Sequence, residues 1–289
     1  KKLNTIANST NVYLKSFFLK QKSNSYLLQP MKYGIFSGGK RFRSAIVVNT
    51  GRIFNIDYKK LIIIGSAIEC IHSYSLIHDD LPSMDNDELR RGKLSVHKKY
   101  NEFTAILAGN SLLTLAFEIL SGDNLKLSQN HKNELIKTLS MCAGHSGLAG
   151  GQYSDLTFEN KNILKNNIIN MQKKKTGELF GFCCESIAII KNMKYAKRKE
   201  LKEIGINIGL LFQIVDDLID YKGDSAIVGK PTRSDKKKGK ATLINLLGYK
   251  ETINFAKKLK KKIDQQIKKY GTKADNLLDS VEFILKRKF

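Results

Sequence analysis

Asp79, Asp80 and Asp85 crowd together in the stretch His72-Ser-Tyr-Ser-Leu-Ile-His78-Asp79-Asp80-Leu-Pro-Ser-Met-Asp85-Asn-Asp-Glu-Leu-Arg90-Arg91-Gly92. Carboxylates so close repel one another unless a cation holds them, and oxygen-only ligands suit magnesium best. Arg90 and Arg91 follow at once, fork-shaped donors that match a phosphate group. Acids, a divalent cation and paired arginines together describe a diphosphate site. A second set, Asp216, Asp217 and Asp220, lies in Phe-Gln213-Ile-Val-Asp-Asp-Leu-Ile-Asp. Asp216 and Asp220 are four apart, which puts them on one helix face a turn apart. Acids among Leu, Ile, Val and Phe are costly unless metal or polar partners compensate them. One such run is ordinarily a solvated turn; two make chance a poor account.

The elements that must position these groups read as helices. Residues 61–77 form a mostly apolar helix that Pro82 ends or kinks just past the acids. Residues 205–221 form the helix that carries the second set. Upstream, residues 2–20 have helical spacing, and a short segment at 25–36 leads into Ser37-Gly38-Gly39, whose glycines permit a tight turn. Lys40 and Arg43, three apart, are expected on one face of the next helix's first turn. Residues 100–120 and 132–149 are apolar helices. The glycines that follow, in Gly150-Gly151-Gln152-Tyr-Ser-Asp155, read as a helix C-cap and turn. The C-terminal helices at 251–270 and 276–286 are amphipathic and look structural. No internal repeat or linker interrupts this order.

Composition narrows the classes. A chain of 289 residues buries a sizeable core, and three prolines argue for long helices rather than sheet. Fifty Lys+Arg against 27 Asp+Glu give a net charge of +23. That charge attracts polyanions and, weakly, an anionic membrane surface. The lysines are scattered, and the densest run, residues 257–269, is the wet face of a helix, so a nucleic-acid partner is not expected. Cys70, Cys142, Cys183 and Cys184 have no zinc or C-x-x-C spacing and read as buried free thiols. No apolar run approaches transmembrane length, because Glu69 interrupts residues 61–71, so no stable membrane insertion is expected. The first residues are Lys-Lys without methionine, so the reading is a cytoplasmic protein, or an organellar one whose transit segment was trimmed.

With both acid motifs in place, the sequence resembles the trans-isoprenyl diphosphate synthases, or polyprenyl synthetases. The matches run in the family's order over nearly the whole chain: Gly-Gly-Lys40-Arg-Phe-Arg43, the two aspartate motifs with Gly-Gly-Gln-Tyr-Ser-Asp155 and Lys175-Thr176-Gly177 between them, and Gly229-Lys230. The Pro82-Ser83 insertion and the Tyr-Ser-Leu-Ile-His lead-in resemble the bacterial farnesyl diphosphate synthase branch. The resemblance implies an all-α fold, a single domain over residues 1–289, built as a bundle of long helices around a central cavity with both motifs at its mouth. It implies Mg2+ on Asp79, Asp80, Asp85, Asp216, Asp217 and Asp220. Isopentenyl diphosphate is implied on Lys40, Arg43, His72 and Arg91, and the allylic diphosphate on Arg90, Lys175, Thr176, Gln213, Lys230 and Lys240. Asp79, Asp80, Arg90, Lys175 and Asp216 are the catalytic set. His78 is left structural, Asn86, Asp87 and Glu88 cap and solvate the turn, and Lys173 and Lys174 are solvated.

Chain length falls to the helix turn below Asp79. Spacing nominates Ser75, which is too small to block a tail, and the resemblance favours Tyr74 as the floor. A fifteen-carbon product follows, with a twenty-carbon product as the alternative. A homodimer is implied as well. A terpene cyclase would have no use for Lys40, Arg43 and Arg91, and a non-catalytic subunit would have lost one acid motif. The segment at 232–239 departs from the family's glycine-containing pattern, which leaves the closure there open.

Overall fold

Helical periodicity with few breakers yields an all-α chain. The computed structural model describes residues 2–20, 26–222 and 238–287. Among them, the strands are two residues each, β1 (Leu89–Arg90) and β2 (Lys93–Leu94), paired antiparallel with Arg90 opposite Lys93. Two compact units emerge, one of residues 1–48 and 56–136, the other of residues 49–55 and 137–289.

In the first unit, α1 (Lys2–Lys20), α2 (Leu28–Ile35), the start of α3 (Phe42–Ile53) and α4 (Tyr58–Asp79) precede the hairpin. The helices α5 (Val96–Lys99) and α6 (Glu102–Ser121) and the start of α7 (Gln129–Ala143) follow it. The axis of this unit is α4. Asp57 caps its N-terminus, accepting a hydrogen bond from the Lys60 amide at 3.2 Å. Leu61, Ile64, Ile68 and Ile71 are fully buried, and α4 packs against α1, α2 and α6. Its C-cap is Asp80, two residues before Pro82, as the sequence leads one to expect.

Glu69, buried in the middle of α4, is held by the Ser44 amide at 3.2 Å and by Arg41 at 3.7 Å. A charge at that depth needs such partners. The expectation that no apolar run reaches membrane-spanning length needs correction: α4 and α6 are both long and apolar enough. In α4, 78% of that apolar window is buried inside the protein, and Glu69 is neutralised within it rather than exposed.

The start of α3 also differs from expectation. Arg41 takes a left-handed backbone (φ 48°), so the helix begins at Phe42 and Lys40 lies outside it. Arg43 is buried in the first turn while Lys40 is exposed, so the two do not share a helix face.

The second unit contains α8 (Leu148–Thr157), α9 (Lys165–Gln172), a π-helical turn (Lys173–Gly177), α10 (Glu178–Ile190) and α11 (Tyr195–Lys222). After the undescribed segment come α12 (Leu243–Leu247), α13 (Tyr249–Lys268) and α14 (Asp275–Lys286). The backbones of α10 and α11 nearly touch: a Cβ on Gly205 would lie 2.3 Å from the Phe180 carbonyl oxygen. The helix expected to run to residue 149 ends at Ala143. The glycine-rich stretch expected as cap and turn lies inside α8, because its glycines serve close packing rather than reversal. Ala256, Ile263 and Ile267 of α13 face inward and its lysines outward. All four cysteines are free and buried.

Candidate active site

Chain reversal after α4 brings the first motif together. The Asp85 amide donates to the Asp79 carbonyl at 2.9 Å, and the Asp87 amide to the Asp80 carbonyl at 3.2 Å. The β1–β2 hairpin then returns Arg90 to the acids. Its Nε donates to both Asp80 oxygens at 2.9 and 3.3 Å, its Nη2 also reaches Asp80, and Nη2 lies 3.4 Å from Asp87. Burial pushes the Asp80 carboxyl up against the downward pull of Arg90. Asp87, expected to be solvated, instead shares Arg90, because the turn folds it inward. Glu88 does face solvent and pairs with Lys98 at 2.7 Å.

Arg91, in a left-handed conformation (φ 55°), points the other way and donates to the Gly38 carbonyl. The guanidinium lies so close to the Ser37-Gly38-Gly39 turn that a Cβ on Gly39 would stand 2.7 Å from Nη1. Both glycines have positive φ, 112° and 107°, which this turn demands. Burial and the neighbouring guanidiniums of Arg41, Arg90 and Arg43 pull Arg91 down to about 10, still protonated at neutral pH. His72 is held neutral first by burial and then by Arg43, Arg91, Arg41 and Arg90. A neutral imidazole among four guanidiniums sits in a field made for a multiply charged anion. Sequence reasoning passed over Arg41, whose Nε donates to Asn11 Oδ1 at 2.9 Å and which anchors the cluster to Glu69.

Near the end of α4, Tyr74 meets the His78 ring edge-on at 5.1 Å between centroids. His78 in turn bonds to the Ile106 carbonyl at 3.0 Å, which fits the structural role expected for it. Ser75 is buried and donates to the His72 carbonyl at 2.9 Å.

In the second unit, the second motif lies on α11 with Asp217 and Asp220 buried and Asp216 about one-third exposed. Both Asp217 oxygens accept amide hydrogens at 2.8 Å, one from Gln172 and one from Gln213. The Gln213 carbonyl accepts from the Thr176 hydroxyl at 2.8 Å, so a chain of hydrogen bonds links the π-helical turn to the motif. Such π-helical turns inside helices often mark functional sites. Asp216 pairs with Arg287, just past α14, at 2.5 Å, and that guanidinium lies 4.8 Å from the Phe212 ring centroid. Nothing in the sequence pointed to Arg287 or Gln172. Lys174 is exposed and Lys173 partly so, against a buried Thr176. Lys175 and Lys240 converge on one oxygen of Asp155, at 2.7 and 3.0 Å. Lys230 lies outside the described residues.

Among the described residues, no three His, Cys, Asp or Glu side chains gather into a ready-made metal site. The donor chemistry of each motif is nonetheless oxygen-only, which fits a hard divalent cation such as magnesium.

A polyprenyl synthetase family model matches residues 24–280. The chain belongs to the polyprenyl synthetase family. It is 38% identical to the farnesyl diphosphate synthase of Micrococcus luteus, over 92% of this chain and 90% of that one. Its fold is similar to the crystal structure of an FPP/GFPP synthase from Zymomonas mobilis, at a TM-score of 0.86 and 38% identity over 98% and 99% of the two chains. A geranyltransferase of Helicobacter pylori, complexed with magnesium and isoprenyl diphosphate, matches at a TM-score of 0.83 and 31% identity over 99% and 97%. The first motif's aspartates lie at and just past the end of α4, and the second motif's lie along α11.

Proposed function

We propose that this synthetase condenses dimethylallyl or geranyl diphosphate head-to-tail with isopentenyl diphosphate, giving farnesyl diphosphate and free diphosphate. The observation that carries this reading is the β1–β2 hairpin. It presents an oxygen-donor acid set and an arginine cluster around neutral His72 in one place. Asp79, Asp80 and Asp85 in the first unit, and Asp216, Asp217 and Asp220 in the second, would hold magnesium. When bound, magnesium supplies positive charge against the departing diphosphate.

The chain's own groups do the rest. The allylic C–O bond breaks with its electron pair going to the diphosphate, and Arg90, Lys175 and Lys240 meet the charge that develops there. Lys230 is assigned to the same task. Lys40, Arg43 and Arg91 hold isopentenyl diphosphate, with His72 as an uncharged hydrogen-bonding partner. Its double bond attacks the allylic cation, a carbon–carbon bond forms, and a proton leaves to restore an alkene, with the released diphosphate as base. Thr176 and Gln213 keep a fixed polar edge through their hydrogen bond. Tyr74 is the proposed floor for the growing tail. The enzyme is further proposed to be a cytoplasmic homodimer working as one catalytic domain.

The deciding experiment incubates the full chain with geranyl and isopentenyl diphosphates and magnesium, and separates the products by length. A fifteen-carbon diphosphate is expected; no diphosphate release sinks the reading. Asp79→Ala should lower turnover by about a thousandfold or more with the helical spectrum intact, as a group acting in the transition state does. Tyr74→Ala should shift product to twenty carbons or longer. An unchanged fifteen-carbon product would remove Tyr74 as the floor.

A further inference from the structure

Asp155 is assigned no role above, yet it is a buried carboxylate of the second unit held by two ammoniums. It is buried at 7% exposure on α8, and a single oxygen, Oδ2, accepts from Lys175 at 2.7 Å and from Lys240 at 3.0 Å. Lys240, itself 7% exposed, also meets Glu159 at 2.8 Å, just past the end of α8. The backbone reinforces the arrangement from both sides. Gly151, one turn before Asp155, lets α8 touch the π-helical turn: a Cβ there would stand 2.1 Å from the Lys175 amide nitrogen. On the other side, the Asn160 amide donates to the Gly239 carbonyl at 2.9 Å, which fastens the residue before Lys240 to the end of α8. Burial would raise the Asp155 carboxyl, but the two ammoniums override it and hold it below the usual carboxylate range.

We propose that Asp155 is a positioning residue that fixes the spacing and direction of the Lys175 and Lys240 ammoniums for the allylic diphosphate. The inference rests on the prenyl-transfer reading in taking these two lysines as phosphate-holding groups. Two ammoniums left to themselves repel and swing on four-carbon stems. Bonded to one oxygen, they lie no more than about two hydrogen-bond lengths apart, near enough for one diphosphate to meet both. Each ammonium has three donors: Lys175 directs one at Asp155, and Lys240 directs one at Asp155 and one at Glu159. Beside them, Gln152 is 5% exposed and neither of its amide atoms has a hydrogen-bonding partner among the described residues. A buried amide in that state is a donor and acceptor available to a ligand or ordered water on the same face of α8.

The test is a double-mutant cycle on the full chain, with Asp155→Asn made alone and in a Lys175→Ala/Lys240→Ala background. Asp155→Asn alone is expected to cut kcat/KM for the allylic diphosphate about 30- to 100-fold while KM for isopentenyl diphosphate changes less than about twofold. Its affinity for inorganic pyrophosphate, measured by calorimetry, should fall about tenfold. In the lysine-free background the same substitution should change each quantity less than about threefold. Equal losses in both backgrounds, or an isopentenyl KM that moves as far as the allylic one, overturn the proposal. So does an Asp155→Asn protein that fails to fold, since Asp155 would then be holding the fold itself. If the unsubstituted enzyme makes no prenyl product but the pyrophosphate affinities follow this pattern, the prenyl-transfer reading fails and the assignment of Asp155 stands.

Discussion

His72 shows how far one side chain's neighbours can redirect it. Seen alone on a helix it is a residue that charges near pH 6.5. Burial and then Arg43, Arg91, Arg41 and Arg90 depress that value well below the usual one in the folded protein. The unfolded chain therefore takes up a proton as pH falls through about 6.5, and the folded chain refuses it. Stability must decline as pH drops below that point, and be fully present above it. Between pH 7.5 and 5.5, wild type should lose about 1 kcal/mol more than His72→Gln in urea unfolding. Equal losses would mean that His72 protonates freely in the fold. The same residue had been legible as a site member only through the family resemblance. Arg43, Arg90 and Arg91 had been named as diphosphate contacts, but Arg41 had not, because it lies just before α3 and only the fold brings it near His72.

At the scale of elements, periodicity served well where a helix packs along its length and poorly where glycines intervene. The apolar stripes of α4 and α11 give both aspartate motifs directly, and Pro82 marks the end of α4. By contrast, Gly150 and Gly151 read equally well as a cap, and only the crossing partner decides. Asp155 was visible as a letter but not as a hub, since its lysines lie 20 and 85 residues away in the chain. The close crossing of α8 on the π-helical turn is itself open to test. In an ordinary helix Gly→Ala gains roughly 0.5–1 kcal/mol. Gly151→Ala should instead lose about 2 kcal/mol or more in chemical denaturation, because the added methyl meets backbone that cannot step aside. A stabilised variant would show that the crossing is looser than described.

For the whole molecule, α6 presents a face that the first unit leaves open. Phe103, Ile106 and Leu107 are 66%, 41% and 49% exposed on a helix otherwise apolar enough to cross a membrane. Clustered apolar side chains of this size ordinarily meet a partner surface. A second copy of the chain is the expected occupant. Light scattering after size exclusion should give a dimer mass for wild type and a monomer mass for Ile106→Glu/Leu107→Glu. A monomeric wild type would end the dimer expectation. The net charge of +23 was plain from composition, but its arrangement was not: the arginines cluster beside acids while the lysines of α13 face water.

The pairing of Asp80 with Arg90 has a thermodynamic corollary. Ligand-free, each is the other's counter-ion, so each is partly blocked toward an incoming guest. A divalent cation that takes Asp80 releases Arg90, and a diphosphate that takes Arg90 releases Asp80. Binding here is thus an exchange of partners, and the two guests help one another. Because such coupling is reciprocal, the factor by which pyrophosphate tightens magnesium must equal the factor by which magnesium tightens pyrophosphate. Arg90→Gln should abolish the donor competition for Asp80, so magnesium alone should bind the variant more tightly while the mutual enhancement shrinks toward one. Calorimetric titrations of each guest, with and without the other, measure both factors; independent binding in the wild type would show that the clasp does not have to open.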